Sequence, residues 1–335
     1  MKKYKVVLTN NLRLAGVEKM RQIFDLKTRE SGTPEETWEA WLAEADAVCS
    51  GGRIKIDGSL LDKAPNVKVV SQIAVGYDNI DVAACSQRGV LVGNTPGVVT
   101  DATADIAFGL ILCSARYLHK AWEYVKSGEW GRRKPFVMGT DLKGKLLGII
   151  GLGNVGLAVA QRAKASGMAV AYHNRKPAAQ ATEIGAEYLS FDELLGKADF
   201  VLLSLPLNEK TRKFFGDRQF AQMKPTARFI NIGRGGLVDT DALCRALRDK
   251  KIAYAALDVT DPEPLPAGHP LLAFDNVAIF PHIGGHARET RDAMSLMALD
   301  NLLCALEGRK MPSCVNSELE RRLSATSPGK RPDSR

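Results

Sequence analysis

The sequence predicts an α/β protein of two domains around a cleft, each domain built on a doubly wound parallel sheet. Three observations lead to this prediction. The chain has 335 residues, more than a single hydrophobic core usually supports. Segments typical of strands and of helices alternate along the chain, which is the pattern of parallel sheets. A glycine-rich turn lies between a buried strand and a helix near the middle of the chain.

The first hundred residues form the first alternating series. Its strand-like segments are "YKVVLT", "DAVCS" and "VKVVSQI". Between the first two segments, helical spacing joins Leu14, Val17, Met20 and Phe24. Strands separated by helices pair in parallel, so this series predicts a flavodoxin-like sheet, which we assign to the substrate domain.

A second and longer series follows, with the strand-like segments "KLLGIIGLG", "MAVAYH", "ADFVLLSLP", "ARFINIG", "AYAALDV" and "VAIFPH". Between the two series, the apolar stretch "DATADIAFGLILCSARYLHKAWEYVKSGEW" predicts one long helix packed between the domains. The helical stretch "DAMSLMALDNLLCALEG" is predicted to return to the first domain. We therefore expect a discontinuous substrate domain of residues 1–98 and 287–318, a dinucleotide-binding domain of residues 99–286, and a disordered tail of residues 319–335.

Composition and charge exclude several classes of protein. Apolar residues make up 45% and charged residues 25% of the chain, as in ordinary globular proteins. The formal charge is +8, but the bases are dispersed, so we expect no nucleic-acid partner. The six cysteines are scattered without CxxC or Cys/His clusters, which predicts free thiols and no metal. We find no signal peptide or membrane-spanning stretch, and we expect a cytoplasmic protein without a membrane partner.

The turn "GLGNVG" places Gly151, Gly153 and Gly156 after a buried strand and at the start of a helix. In a dinucleotide-binding turn, the first glycine permits the tight turn and the second lets a pyrophosphate approach the backbone. The third glycine lets the helix pack closely on the strand. The motif alone is weak evidence, but the strand before it and the helix and strand after it strengthen the prediction. We therefore predict a Rossmann-type nucleotide domain, with Asn154 and Val155 among the cofactor contacts.

The stretch "YHNRKP" follows the next strand, where an acidic residue usually accepts hydrogen bonds from the ribose of NAD. Here Arg175 and Lys176 follow Asn174, and the next acid is only Glu183. A carboxylate would repel a 2′-phosphate, whereas a guanidinium would bind it. We therefore predict a preference for NADP(H), with Arg175 as the main contact and Asn174 or Lys176 assisting. The alternative is a solvated turn beside a site that binds NAD(H) without its acid.

Polar residues follow three later strands, at the carboxyl ends where ligands of open α/β sheets bind. These residues are Arg234, Asp258, Glu263 and His282. Arginine can bind a carboxylate and a carbonyl together. Histidine has an unperturbed pKa of about 6.5 and is a natural proton donor near neutrality, and a neighbouring carboxylate favours its charged form. A hydride from a nicotinamide, with a proton from His282, would reduce a ketone.

Taken together, these stretches resemble the NAD(P)-dependent D-isomer-specific 2-hydroxyacid dehydrogenases, and among them most closely the glyoxylate/hydroxypyruvate reductases. The resemblance covers nearly the whole chain. Its motifs are "AVGYDNIDVAACSQRGVLVGNTPGVVTDATADIAFGLIL", "GKLLGIIGLGNVG", "NIGRGGLVDTDAL", "LDVTDPEPLP" and "PHIGG". It implies reduction of a small 2-keto acid, glyoxylate or hydroxypyruvate, to the D-2-hydroxy acid by a homodimer that pairs through the stretch from Thr103 to Trp130.

The resemblance also implies roles for the matching residues. Arg234 would bind the substrate's carboxylate and carbonyl, Glu263 would hold and charge the histidine, and His282 would be the acid/base. The backbone N–H groups of Val75 and Gly76 would bind the substrate carboxylate, in agreement with the anion sites that glycine permits. The remaining cofactor contacts would be Thr103, Pro206, Gly284 and, at the nicotinamide carboxamide, Asp258.

The sequence does not determine the size of the substrate. We assign the acid/base role to His282 rather than to His286, which would stand at the mouth of the site. Arg53 would touch a distal group of the substrate, or would lie in a surface loop. Gly285 stands where family members often have serine. Two arginines follow Trp130, in a segment from which some reductases project a tryptophan toward the partner subunit.

Other functions are also compatible with parts of the sequence. The enzyme could reduce a larger keto acid, such as 2-ketogluconate or an aryl pyruvate. Formate dehydrogenases share the predicted fold, but they have glutamine where Glu263 stands. Some relatives are corepressors that use the dinucleotide as a sensor, and a basic ribose site fits them poorly.

Overall fold

The computed structural model describes residues 4–52 and 54–326 of the chain. The chain divides into two units, each with its own parallel sheet. The first unit comprises Met1–Val99 together with Ala287–Arg335, and the second comprises Thr100–His286. The chain therefore leaves the first unit once and returns to it after the second.

The described residues form twelve strands and twelve α-helices. The strands are β1 (Lys5–Leu8), β2 (Asp25–Thr28), β3 (Ala47–Ser50), β4 (Val69–Gln72), β5 (Leu91–Gly93), β6 (Leu146–Ile150), β7 (Ala169–His173), β8 (Glu187–Tyr188), β9 (Phe200–Leu203), β10 (Arg228–Asn231), β11 (Tyr254–Leu257) and β12 (Val277–Ile279). The helices are α1 (Ala15–Ile23), α2 (Glu35–Glu44), α3 (Gly58–Asp62), α4 (Val82–Gln87), α5 (Thr100–Arg116), α6 (Leu118–Lys126), α7 (Asn154–Ala165), α8 (Phe191–Lys197), α9 (Asp217–Gln222), α10 (Thr240–Arg248), α11 (Arg288–Leu306) and α12 (Ser317–Thr326).

The first unit is a five-stranded sheet in which every strand pair is parallel. The strand order is β2-β1-β3-β4-β5, so the winding of the chain reverses between β1 and β3. β1, β3, β4 and β5 are apolar on both faces because helices cover both, whereas the edge strand β2 is largely exposed. α1 and α11 pack so closely that a Cβ on Gly16 would lie 2.2 Å from the backbone of Ser295. This contact joins the C-terminal segment to the first hundred residues.

The second unit is a seven-stranded parallel sheet with the order β12-β11-β10-β9-β6-β7-β8. Winding reverses between β6 and β9, which is the arrangement of Rossmann-type folds. α5 and α7 pack together on one face, where Arg162 forms ion pairs with Asp101 and Asp105 at 3.2 and 2.7 Å. The predicted fold class, two parallel-sheet α/β domains, is confirmed.

The prediction of one long helix after residue 100 is wrong, because the chain breaks between α5 and α6. Tyr117 stands at the break with a left-handed backbone, at a φ of 54°. Its ring meets the ring of Tyr254 edge-on, and the guanidinium of Arg228 lies over both rings. Contacts with residues that are distant in the sequence therefore fix a turn that the local sequence does not predict.

The prediction of a disordered tail from residue 319 is wrong for residues 319–326, which belong to α12. Leu319 and Glu320 are buried, and Oε1 of Glu320 accepts the N–H of Met311 at 2.7 Å. Packing and a buried hydrogen bond thus hold this helix on the first unit. Residues 327–335 of the predicted tail lie outside the described residues. No helix of the described chain is long and apolar enough to cross a membrane.

Candidate active site

The glycine turn lies between β6 and α7, where the winding of the second sheet reverses. Gly151 has a φ of 100°, and a Cβ there would lie 2.4 Å from the carbonyl oxygen of Ser204. A Cβ on Gly156 would lie 2.6 Å from the carbonyl oxygen of Gly151. A Cβ on Gly153 would meet no other residue of the described chain within 4 Å. Two glycines therefore serve the protein's own packing, and the third leaves open space at the N-terminus of α7, where a pyrophosphate fits.

The polar residues after β7 divide into two kinds. Asn174 is bound to the glycine turn, because its Oδ1 accepts the N–H of Leu152 at 2.7 Å and its Nδ2 donates to the Leu152 carbonyl at 3.2 Å. Arg175 and Lys176 are exposed. Asn174 therefore holds the shape of the turn, while the two bases present their charges at the surface.

His282 and Glu263 meet in a direct contact, with Nδ1 of the histidine 2.6 Å from Oε1 of the glutamate. Their side chains are 44% and 41% exposed. Burial alone would raise the pKa of Glu263, but the hydrogen bond and charge of His282 bring it below its usual value. The imidazole is oriented through Nδ1, which leaves Nε2 as the nitrogen able to exchange a proton with another molecule.

Asp258 fixes the backbone turn that carries the histidine. His282 has a left-handed backbone with a φ of 56°, which is uncommon for residues other than glycine. Its N–H donates to the Asp258 carbonyl at 2.9 Å. The Asp258 carboxylate accepts the N–H groups of Ile283 and Gly284, both at 2.8 Å. Burial raises the pKa of Asp258, and these two hydrogen bonds oppose that rise. Asp258 thus supports this backbone turn, and the carboxamide contact that the resemblance implies stays a prediction.

Three predicted cofactor residues lie together around this turn. A Cβ on Gly284 would be 2.9 Å from Oδ2 of Asp258 and 3.3 Å from Cγ2 of Thr103, so these residues are in contact. Pro206 follows β9 instead, and its carbonyl accepts the hydroxyl of Thr211 at 2.9 Å. The structure therefore brings Thr103, Asp258 and Gly284 into one cluster and puts Pro206 at the end of another strand of the same sheet.

Arg234 follows β10 and is half-buried. Its Nη1 donates to the Gly233 carbonyl at 2.9 Å, and its charge acts on the Glu263 carboxylate. Buried Asn231 holds the bend, because its Nδ2 donates to the Arg234 carbonyl at 2.9 Å and its Oδ1 accepts the Gly233 N–H at 3.0 Å. Asn231 was not among the residues predicted from the sequence. Its signal is a polar residue inside the apolar segment "FINIG".

In the first unit, Val75 and Gly76 lie in the loop after β4. Among the described residues, neither backbone N–H has a protein acceptor, whereas both carbonyl oxygens accept hydrogen bonds from side chains. Adjacent N–H groups without a protein partner can bind an anion. Arg53, the predicted contact for a distal group of the substrate, lies outside the described residues.

The other candidate groups add no chemistry to this site. His286 is exposed, and its N–H donates to the Ile283 carbonyl at 2.9 Å. The six cysteines are free thiols, and five of them are buried. Within residues 4–52 and 54–326, no group of histidine, cysteine, aspartate and glutamate could hold a metal ion.

Comparison with known proteins relates the chain to one family. Residues 108–284 match the model of "D-isomer specific 2-hydroxyacid dehydrogenase, NAD binding domain". The glyoxylate reductase of Aeropyrum pernix is 42% identical over 327 residues, which cover 95% of this chain and 98% of that protein. Glyoxylate/hydroxypyruvate reductase B of Klebsiella pneumoniae is 43% identical and covers 92% of this chain and 95% of its own. The crystal structure of an NADPH-dependent glyoxylate/hydroxypyruvate reductase from Sinorhizobium meliloti, in complex with NADP and malonate, matches with a TM-score of 0.85 at 30% identity, over 94% of this chain and 97% of that chain.

Proposed function

This chain belongs to the D-isomer specific 2-hydroxyacid dehydrogenases, and from that premise we propose that it reduces glyoxylate or hydroxypyruvate to the D-2-hydroxy acid with NADPH. The class of enzyme is that of the family, an NAD(P)-dependent oxidoreductase. The observation that carries the proposal is the oriented pair of His282 and Glu263, which lies in the same unit as the dinucleotide turn. Relatives named glyoxylate reductase and glyoxylate/hydroxypyruvate reductase support the choice of substrate.

The reduction requires a hydride at the carbonyl carbon and a proton at the carbonyl oxygen. The nicotinamide, when bound, supplies the hydride. His282 donates the proton from Nε2, and Glu263 stabilises the imidazolium and orients the ring through the 2.6 Å contact at Nδ1. Arg234 stabilises the negative charge that develops on the oxygen. In the reverse direction, the same histidine accepts the proton.

The substrate's carboxylate is assigned to the backbone N–H groups of Val75 and Gly76, with Arg234 contacting both the carboxylate and the carbonyl. The support for this assignment is that neither N–H has an acceptor among the described residues. Hydrogen bonds to a charged group contribute about 1.5–3 kcal/mol each. Two such bonds are enough to select a 2-keto acid over a ketone without a carboxylate.

The preference for NADP(H) over NAD(H) rests on the turn after β7. Arg175 and Lys176 are exposed there, and no acidic residue follows before Glu183. Because Asn174 is bound to Leu152, Arg175 is the main contact of the 2′-phosphate and Lys176 assists. The Sinorhizobium meliloti relative is named NADPH-dependent and was solved with NADP.

The proposed assembly is a homodimer formed through α6. The spacing of Leu118, Trp122 and Val125 places them on one face of this helix, and they are 49%, 67% and 47% exposed. Trp130 and Met138, in the segment that follows, are 68% and 91% exposed. Monomers rarely expose so many large apolar side chains in one segment. A second copy related by a twofold axis would cover this surface with the same residues.

The test of the proposed function compares initial rates on glyoxylate and hydroxypyruvate, each with NADPH and with NADH, followed as loss of cofactor absorbance. A strong preference for NADPH on either acid supports the reaction and the role of Arg175. Equal rates with NADH overturn the role of Arg175 alone. Activity only on 2-ketogluconate or an aryl pyruvate would make this a reductase of larger acids, and cofactor binding without turnover would make it a sensor.

A further inference from the structure

Two neighbouring carbonyl oxygens of the loop after β4 are each bound by a donor from the two residues that directly follow β5. The Ala74 carbonyl accepts the backbone N–H of Thr95 at 3.0 Å. The Val75 carbonyl accepts Nδ2 of Asn94 at 2.8 Å. Because a trans peptide unit is planar, its C=O and the following N–H point in opposite directions. The donors on these two carbonyls therefore fix the directions of the N–H groups of Val75 and Gly76.

Asn94 is itself held in place by the C-terminal segment. Its side chain is buried, and its Oδ1 accepts the hydroxyl of Ser313 at 2.7 Å. The Asn94 carbonyl accepts Nδ2 of Asn301 at 3.0 Å, and Oδ1 of Asn301 accepts the N–H of Ser313 at 3.0 Å. Asn301 is fully buried. The amide that binds the Val75 carbonyl thus has both Nδ2 and Oδ1 in hydrogen bonds, and these bonds set its orientation.

Gln72 holds the next carbonyl of the same loop. Its side chain is buried, and its Nε2 donates to the Gly76 carbonyl at 3.1 Å and to Oδ1 of Asn79 at 2.7 Å. Nδ2 of Asn79 in turn donates to the Ile54 carbonyl at 2.9 Å. Gln72 and Asn79 therefore join the loop after β4 to the loop after β3.

We propose that Asn94 is a positioning residue for the substrate's carboxylate. Its amide binds the Val75 carbonyl, so that the Gly76 N–H on the other side of the same peptide unit keeps one direction and meets the anion without reorganisation. The backbone N–H of Thr95 acts on Val75 in the same way through the Ala74 carbonyl, and Gln72 holds the far side of the loop at the Gly76 carbonyl. A hydrogen bond accepted by a carbonyl also polarises its peptide unit and strengthens the N–H of that unit as a donor. This inference rests on the proposed function, because it takes Val75 and Gly76 as the carboxylate site.

The test is Asn94→Ala, assayed with glyoxylate and with oxamate, a 2-keto acid analogue that the enzyme cannot reduce. We expect the KM for glyoxylate and the inhibition constant of oxamate each to rise about tenfold, or about 1.4 kcal/mol. The kcat and the dissociation constant of NADPH should stay within about twofold, because the carboxylate is bound equally in the ground and transition states. A purely structural role would lower the melting temperature without separating KM from kcat.

Asn316→Ala is the matched control. The Asn316 side chain also binds backbone groups in and directly before β5. Its Oδ1 accepts the N–H of Val92, and its Nδ2 donates to the Val90 carbonyl, both at 2.9 Å. It should lower the melting temperature without changing KM. If Asn94→Ala does not fold, Ser313→Ala removes the hydroxyl that orients Asn94, and the KM should then rise about threefold.

Two results would overturn the inference. The first is that the KM for glyoxylate and the inhibition constant of oxamate are unaltered in folded Asn94→Ala or, if that variant does not fold, in Ser313→Ala. The second is an equal rise in KM in the Asn316→Ala control. Either result, in an enzyme whose wild type reduces glyoxylate, removes the positioning role alone. A wild type that neither reduces glyoxylate nor binds oxamate would remove the proposed function as well.

Discussion

Replacing Glu263 by glutamine tests the acid/base pair most directly, because the amide keeps the shape of the side chain and removes its charge. In the wild type, the Glu263 carboxylate lies 2.6 Å from Nδ1 of His282. The pKa of Glu263 falls below its usual value, because the hydrogen bond and charge of the histidine outweigh the effect of burial. By reciprocity, the same contact stabilises the imidazolium, and the amide cannot replace that charge interaction.

The expected loss follows from the geometry of this contact. A hydrogen bond between charged groups contributes about 1.5–3 kcal/mol. Because the two side chains are 44% and 41% exposed, solvent screens the pair and the lower end of that range applies. About 1.5 kcal/mol corresponds to a roughly tenfold lower kcat/KM near neutral pH. The loss should shrink only at acidic pH, where Glu263 itself becomes protonated, because the lowered pKa of Glu263 keeps its carboxylate charged at higher pH.

The assay is the pH profile of kcat/KM for glyoxylate reduction with NADPH, measured on the wild type and on Glu263→Gln. Glu307→Gln is the control, because Glu307 accepts Nε of Arg309 at 2.7 Å in an exposed pair of the first unit, and its profile should match that of the wild type. A Glu263→Gln profile parallel to the wild type, with the same loss at every pH, would refute the idea that the carboxylate acts through the charge of the histidine.

Four other substitutions test the cofactor site and the assembly. Arg175→Ala should raise the KM for NADPH about tenfold, or about 1.4 kcal/mol, and leave the KM for NADH unchanged. The exposed control Arg248→Ala should alter neither KM. An unchanged KM for NADPH in Arg175→Ala contradicts the 2′-phosphate contact. Gly156→Ala should lower stability by about 1–3 kcal/mol in thermal unfolding, because its Cβ would lie 2.6 Å from a backbone oxygen. Gly153→Ala should keep the melting temperature of the cofactor-free protein but weaken NADPH binding in a titration, and equal melting temperatures for the two variants would refute the distinction. Trp122→Glu should convert a dimer to a monomer in light scattering, and an unchanged mass would refute the interface on α6.

The two sheets could be predicted from the sequence, but some of their helices could not. Parallel strands are buried on both faces, so they stand out as short apolar runs between helical segments. The break at Tyr117 leaves no such signal, because the segment around it contains neither glycine nor proline. The break depends on the contacts of its ring with Tyr254 and Arg228, which are far away in the sequence. The burial of Leu319 in α12 likewise could not be predicted, because it depends on the packing of this helix in the folded protein.

The side chains proposed to react stand out in the sequence, whereas most of the residues that hold them do not. Arg234 and His282 follow β10 and β12 of the same parallel sheet, at strand ends where polar residues are conspicuous. Asn174, Asn231 and Asn94 act instead through hydrogen bonds to backbone groups. Asparagine after a strand is an ordinary turn residue, so for Asn174 and Asn94 the sequence alone does not separate a supporting amide from a loop amide.

The hydrogen bonds that support the proposed proton transfer and those that support the proposed carboxylate site lie in different units. The hydrogen bond of the proposed acid/base pair joins Glu263 and His282 in the second unit. The hydrogen bond that holds the loop after β4, called here the carboxylate loop, joins Asn94 and Val75 in the first unit. Among the described residues, Glu263 and Asn94 share no hydrogen-bond partner. Changes at such independent sites add, so a variant carrying both Glu263→Gln and Asn94→Ala should lose about a hundredfold in kcat/KM, or about 2.8 kcal/mol. A double-mutant cycle measures the coupling between the two sites. A coupling above about 0.5 kcal/mol would mean that the carboxylate loop also tunes the proton donor, and binding and proton transfer would then no longer be separable.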